Sequence, residues 1–269
     1  MQLPDQAKII AESLVDRGMA AGATAADALY VGERSSSVQV RLGEIDSLSR
    51  SEGEQIGLRL FVGQRSATVA TSDLSSEALG ALVERCLAMA EEAPEDPFVG
   101  LAPSELLEKG EATDLDADDG REPDPAELRA RALEAEKVAL AVEGVTNSSG
   151  AGASASATTV ALATSGGFSG AYRSSAHGIS AVVVAGEGAT MQRDYAAQSA
   201  RHLDDLDTPV EIGRSAGERT VARLNPTRPK PGKHIPYSQF LAASNRNQSL
   251  PGGRKNIHRV RLLQKIILT

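Results

Sequence analysis

The chain has 269 residues, of which 41% are hydrophobic, 24% charged and 3% aromatic, with no tryptophan. These proportions exclude a wholly disordered chain and a coiled coil, and the few aromatics argue against a base-stacking nucleic-acid platform. The formal charge of -8 is unevenly spread: residues 1–218 hold every acid and a net -19, while 219–269 carry +11 with no acid, so the body repels nucleic acid and anionic membrane and only the tail attracts them.

The first element reads as a helix, with Ile10, Ala11, Leu14, Val15 and Gly18 at helical spacing and Gly22 as a stop. Four short strands are expected next. They are Ala28 to Val31, the alternating Val38, Val40 and Leu42, the alternating Leu58, Leu60 and Val62, and Ala67 to Ala70 after a Gly63-Gln64 turn. A second helix, capped by Ser76, presents Leu79, Leu82, Val83, Cys86, Leu87 and Ala90 on one side. Glu91 to Asp124 holds thirteen acids, two bases and four prolines. It reads as a linker (94–123) with a short helix around Ser104 to Glu108, because proline with one-sign charge resists packing.

Asp124-Pro125-Ala126-Glu127 combines a cap, a proline at the first helical position and an acid two residues later, and so starts a third helix. Leu128, Ala132, Ala135, Ala139 and Val142 line its buried side, and Gly144 ends it. The Ala/Ser/Gly/Thr-rich stretch from Val145 to Gly170 alternates and reads as strand, not as a low-complexity linker. Gly166-Gly167 turns it into Phe168 to Arg173; Ile179 to Ala185 and Ala189 to Ala197 complete a second set of four. Thr208-Pro209-Val210-Glu211 opens a last helix, in which Gly213, Ala216 and Gly217 form a flat side for close packing before Asn225-Pro226. The expected class is α+β: antiparallel four-stranded groups with covering helices, a first unit at 1–93, a second at 124–225 and a basic tail at 226–269.

Chemistry-bearing patterns are sparse. His177, His202, His234 and His258 lack the spacing that aims two imidazoles at one ion, and Cys86 is the only cysteine, so no disulfide or thiolate metal site forms within the chain. Ser174 or Ser175 with His177 and Asp194 is the nearest approach to a hydrolase triad, but no strained serine turn presents a nucleophile. Glycines at 150 and 152 do not open a helix as a phosphate cradle does. The expectation is no catalytic, cofactor-binding or metal-binding residue. No apolar run is long enough to cross a membrane, and the first residues lack the basic-then-apolar order of a signal peptide, so a cytoplasmic location is expected.

Segments 161–180, 186–195, 199–203 and above all 212–226 (IGRSAGERTVARLNP) resemble the PmbA (TldE) branch of the TldD/PmbA family over about residues 1–233. The resemblance implies an α/β N-terminal region, followed in the family by a mostly β C-terminal region. It also implies a heterodimer with a TldD-type subunit that carries zinc on a His-Glu-x-x-x-His helix and cleaves peptides or unfolded chains. Peptide-antibiotic maturation, antitoxin turnover and DNA gyrase modulation are linked to the family.

The tail departs from it. Residues 234–269 contain four Ile and three Asn, against six and two in the preceding 233. A nucleic-acid arm, a partner-binding tail and alternate-frame translation are the three readings. The shift in usage favours a truncated chain whose frame changes after about residue 233. The expected function is thus a fragment of an accessory subunit of a TldD–TldE metalloprotease, inactive alone, with its peptide substrate and zinc engaged through the partner. The alternative is a non-enzymatic module whose basic tail docks on nucleic acid or another acidic partner.

Overall fold

Each helix begins where a side chain or proline answers the free amides of its first turn. Ser75 accepts from the Ala78 amide and starts α2 (Ser76–Glu92), one residue before the expected cap. Asp124 accepts from Ala126 at the head of α3 (Pro125–Leu140), and Thr208 with Glu211 makes a reciprocal capping box on α4 (Pro209–Val221). The N-terminal helix α1 spans Pro4–Ala20. The computed structural model describes residues 1–107, 114–122 and 124–226.

The strands are β1 (Ala25–Arg41), β2 (Glu44–Val62), β3 (Arg65–Thr71), β4 (Val145–Thr164), β5 (Ser169–Ala185) and β6 (Gln192–Ala200). They form one antiparallel sheet in the order β3-β2-β1-β4-β5-β6. The α+β class is as expected. The strand count differs: each half has three strands, because Gly32 to Ser37 stays extended and joins two expected strands into β1, and Ser174 to Gly178 does the same in β5. Glycine and serine have little intrinsic strand preference. Flanked on both sides by paired backbone, they extend all the same.

The two halves meet at β1 and β4, paired from Asp27↔Thr164 to Val40↔Ala151. Outward from that seam each half repeats helix, three-stranded meander, helix, so the strand order is symmetric about it. The four helices lie on one face. Ala26, Ala28 and Tyr30 of β1 join Ala161 and Ala163 of β4 beneath α1 and α2. Val38 and Val40 of the same β1 lie with Ala151, Ala153 and Ala155 beneath α3 and α4. Each half therefore contributes residues to the other's core. Residues 1–225 form one compact unit.

The alanine-rich strands let helices sit close. A Cβ on Gly213 would lie 2.3 Å from the Ala135 carbonyl oxygen, and one on Gly217 would lie 2.5 Å from Val142. The flat side read from the sequence is the contact between α4 and α3.

Candidate functional site

One sheet face carries the four helices; among the described residues no helix covers the other, the open face. Alternation assigns Asp27, Leu29, Val31, Glu33, Ser35, Ser37 and Gln39 of β1 to the open face. At one end the segment 100–107 folds back over it. Leu101, Leu106 and Leu107 face Leu29, Val31, Leu162 and Phe168 across a cleft of about 650 Å³. The cleft lining is mostly apolar, with Gln55, Thr68 and Thr164 and the Asp27–Arg59 ion pair as its polar groups, and Arg59 is also 5.0 Å from the Phe61 ring centre.

Beyond the cleft the same face flattens. The registers align Ser51, Ser35, Ser156 and Ala176 in one row across β2, β1, β4 and β5, and Ser49, Ser37, Ser154 and Gly178 in the next. These side chains are exposed or half-buried. A four-strand patch with nothing larger than serine lets another backbone or layer approach closely.

The expected linker is not uniform. Residues 114–122 run past β5 into the space between the two helix pairs, where the strands turn polar residues inward. The Ser175 amide donates to the Ala117 carbonyl at 2.9 Å, and the Asp119 amide donates to Ser175 Oγ at 3.0 Å. Asp119 Oδ2 lies 2.8 Å from His177 Nε2 and accepts from the Leu203 amide at 3.0 Å. Glu122 bridges Arg34 (3.0 Å) and Arg173 (2.8 Å), and Arg121 reaches Asp204 at 2.9 Å. Burial pushes the Asp119 carboxyl up, but the amides of Leu203 and Arg121, the nearby His177 and Ser175 together hold it below the usual aspartate value. His202 Nε2 is 2.9 Å from the Asp116 carbonyl oxygen and 3.1 Å from its carboxylate, and the backbone contact, followed by the acids around it, raises its pKa. Asp118 Oδ1, Thr159 Oγ1 and Arg173 Nε are buried there without a hydrogen-bond partner among the described residues, whereas His177 Nε2 has the Asp119 carboxylate beside it.

These positions dispose of the triad. Ser175 and His177 share the helix-side face, Ser174 points to the open face, and Asp194 pairs with Arg223 opposite Val183, six positions along β5 from His177. Cys86 is fully buried with Sγ 3.5 Å from the Leu58 carbonyl oxygen, and burial pushes its thiol up, so it is a core residue. His234, His258 and the tail after Pro226 lie outside the described residues. Among the described residues no group of three or more His, Cys, Asp or Glu side chains is placed to hold a metal ion. Among the described residues, then, no donor set fits the zinc that the family resemblance implies.

The sequence reading missed Glu136. It is 2% exposed on α3 and accepts from the Leu42 and Gly43 amides, both at 2.8 Å, and from Ser148 Oγ at 2.5 Å. A glutamate in an Ala/Glu/Arg-rich helix carries no mark of burial. The nearest signal is the turn at Leu42-Gly43, whose positive φ values (53° and 84°) leave two amides facing α3.

A duplicated helix–meander–helix over one shared sheet is the architecture of the described residues. The PmbA/TldA metallopeptidase domain 1 model matches residues 26–90, and the central-domain model of the same family matches residues 118–224. The chain belongs to the PmbA/TldD family. It is 32% identical over 191 residues to metalloprotease PmbA of Escherichia coli O157:H7 and 32% over 198 residues to a homologue from Haemophilus influenzae. In both cases the match covers 71% of this chain but only 42% of the relative, so the chain spans well under half of those proteins. The fold is shared with a crystal structure described as a modulator of DNA gyrase from Bacteroides thetaiotaomicron (TM-score 0.77, 22% identity, 90% of this chain and 57% of that one). It is also shared with TldE from Thermococcus kodakarensis (TM-score 0.65, 18% identity, 79% and 46%). No helix among the described residues is long and apolar enough to cross a membrane.

Proposed function

We propose that the chain is the N-terminal region of a PmbA-type accessory subunit, which pairs with a TldD-type subunit in a cytoplasmic metallopeptidase acting on peptides or unfolded chains. The observation that carries this reading is the similarity to metalloprotease PmbA across both domains of the region. The zinc and its water-activating chemistry belong to the partner, since a zinc peptidase needs about three protein ligands and an open position. The open face, with its apolar cleft and small-residue rows, supplies wall and contact surface. Co-purification of the tagged chain with the TldD-type subunit of the same organism tests the pairing; a chain that elutes alone beside its partner refutes it. The chain by itself is expected to hydrolyse no unfolded peptide with or without added zinc, and chelator-sensitive cleavage by the pure chain would overturn the assignment of zinc to the partner.

A further inference from the structure

β2 is far longer than the strand that covers it. β3 pairs only with Ile56 to Val62, so the outer edge of residues 44–55 has no strand beside it among the described residues. Residues 44–53 are exposed in an unbroken run. Such an edge is about 40 Å of open backbone donors and acceptors. Sheet proteins usually blunt such edges with lysine, proline or brevity; this one has no Lys and no Pro, and its register against β1 is regular from Ser47 to Gln55.

We infer that β2 residues 44–55 are a strand-addition site for an extended, basic segment of another polypeptide, aligned in continuation of β3. Three features select that occupant. The edge carries Glu44, Asp46, Glu52 and Glu54 against the single Arg50. Glu52 and Glu54 are engaged by Arg34, Tyr30 and the N-terminal amine, whereas Glu44 and Asp46, and Glu33 on the adjoining strand, have no partner among the described residues. On the open face the edge shows the small or uncharged Ser47, Ser49, Ser51, Gly53 and Gln55, with Glu44 opposite Arg41 at its end, beside a groove of about 340 Å³ between Val31, Glu33 and Ser72. On the helix side it offers exposed Ile45 and Leu48 to the apolar side chains of an incoming strand. Backbone pairing supplies affinity without demanding one sequence, and the acids set the preference for positive charge. The inference stands on this geometry and goes beyond the subunit reading; a chain that failed to pair with a TldD-type subunit would still show it.

The test uses the full chain and a fluorescein-labelled Lys-Val-Lys-Thr repeat peptide, read by anisotropy and by amide hydrogen exchange. The Lys peptide is expected to bind and to slow exchange specifically in 44–55. Its Glu counterpart should bind at least about tenfold more weakly, and N-methylation of alternate peptide amides should abolish binding. Glu44→Lys with Asp46→Lys should reverse the charge preference, while Arg50→Glu should tighten the Lys peptide. None of these three side chains has a partner among the described residues, so the fold should survive and unchanged melting checks it. Protection outside 44–55, indifference to N-methylation, or indifference to all three charge changes would overturn the inference. So would concentration-dependent dimerisation that protects the same amides without peptide, since the edge would then pair with a second copy of the chain.

Discussion

Glu136 shows how one residue ties two elements. Its carboxylate answers two amides of the β1–β2 turn and the buried Ser148 hydroxyl, and removing it leaves all three donors without that acceptor. Glu136→Ala is expected to lose about 3 kcal/mol, read as a lowered urea midpoint with an unchanged slope, with Glu136→Gln in between. The opposite fault, overfilling, arises at Gly213. Its added methyl would strike the Ala135 carbonyl oxygen and press on Val138, both on a packed helix that gives way only by moving. Gly213→Ala should cost about 1–3 kcal/mol in the same denaturation experiment.

At the scale of elements, the strap 114–122 is held by charge instead of apolar burial, which makes it dependent on pH. The raised pKa of His202 gives an increment of stability that is full below the ordinary histidine value of 6.5 and is lost as pH rises through the folded value. The lowered pKa of Asp119 gives an increment present above the ordinary 3.8 and lost as pH falls through its folded value. The strap is therefore expected to be tightest between about pH 4 and 6.5. Hydrogen exchange at the Ser175 and Leu203 amides, which donate to the Ala117 carbonyl and the Asp119 carboxylate, corrected for intrinsic rates, should be slower at pH 5.5 than at pH 8. In His202→Gln that difference should shrink. The buried polar atoms left unpaired beside the strap make it the first part of the described region to open.

At the scale of the molecule, the seam between β1 and β4 makes the two halves one folding unit. Val38 and Val40 are needed under α3 and α4, and Ala161 and Ala163 under α1 and α2. A fragment ending at residue 107 would expose β1 along its inner edge and lose two residues of its own core. It is expected to show no cooperative thermal transition, whereas residues 1–226 should unfold in one step by circular dichroism. Two separate transitions in the longer chain would refute the shared-core account.

Local chemistry was readable from the residues alone: the caps at Asp124 and Thr208, the helix stripes through Leu14 and Leu82, the alternation of β4 and the close-packing side of α4. Each depends on neighbours a few positions apart, so spacing reveals it. The motifs at 161–180 and 212–226 also carried the family. Only the tertiary structure decided that eight expected strands are six, that they form one sheet, and that the acidic linker supplies Asp119 and Glu122 to a buried slot. Those outcomes depend on partners distant in the chain. Gly32 to Ser37 extends because β2 and β4 pair with it, Glu136 is buried because a turn some ninety residues earlier presents its amides, and among the described residues the edge of β2 is unpaired because β3 stops at Thr71. Pattern along a chain records which side of an element is apolar; it does not record which other element arrives to cover it.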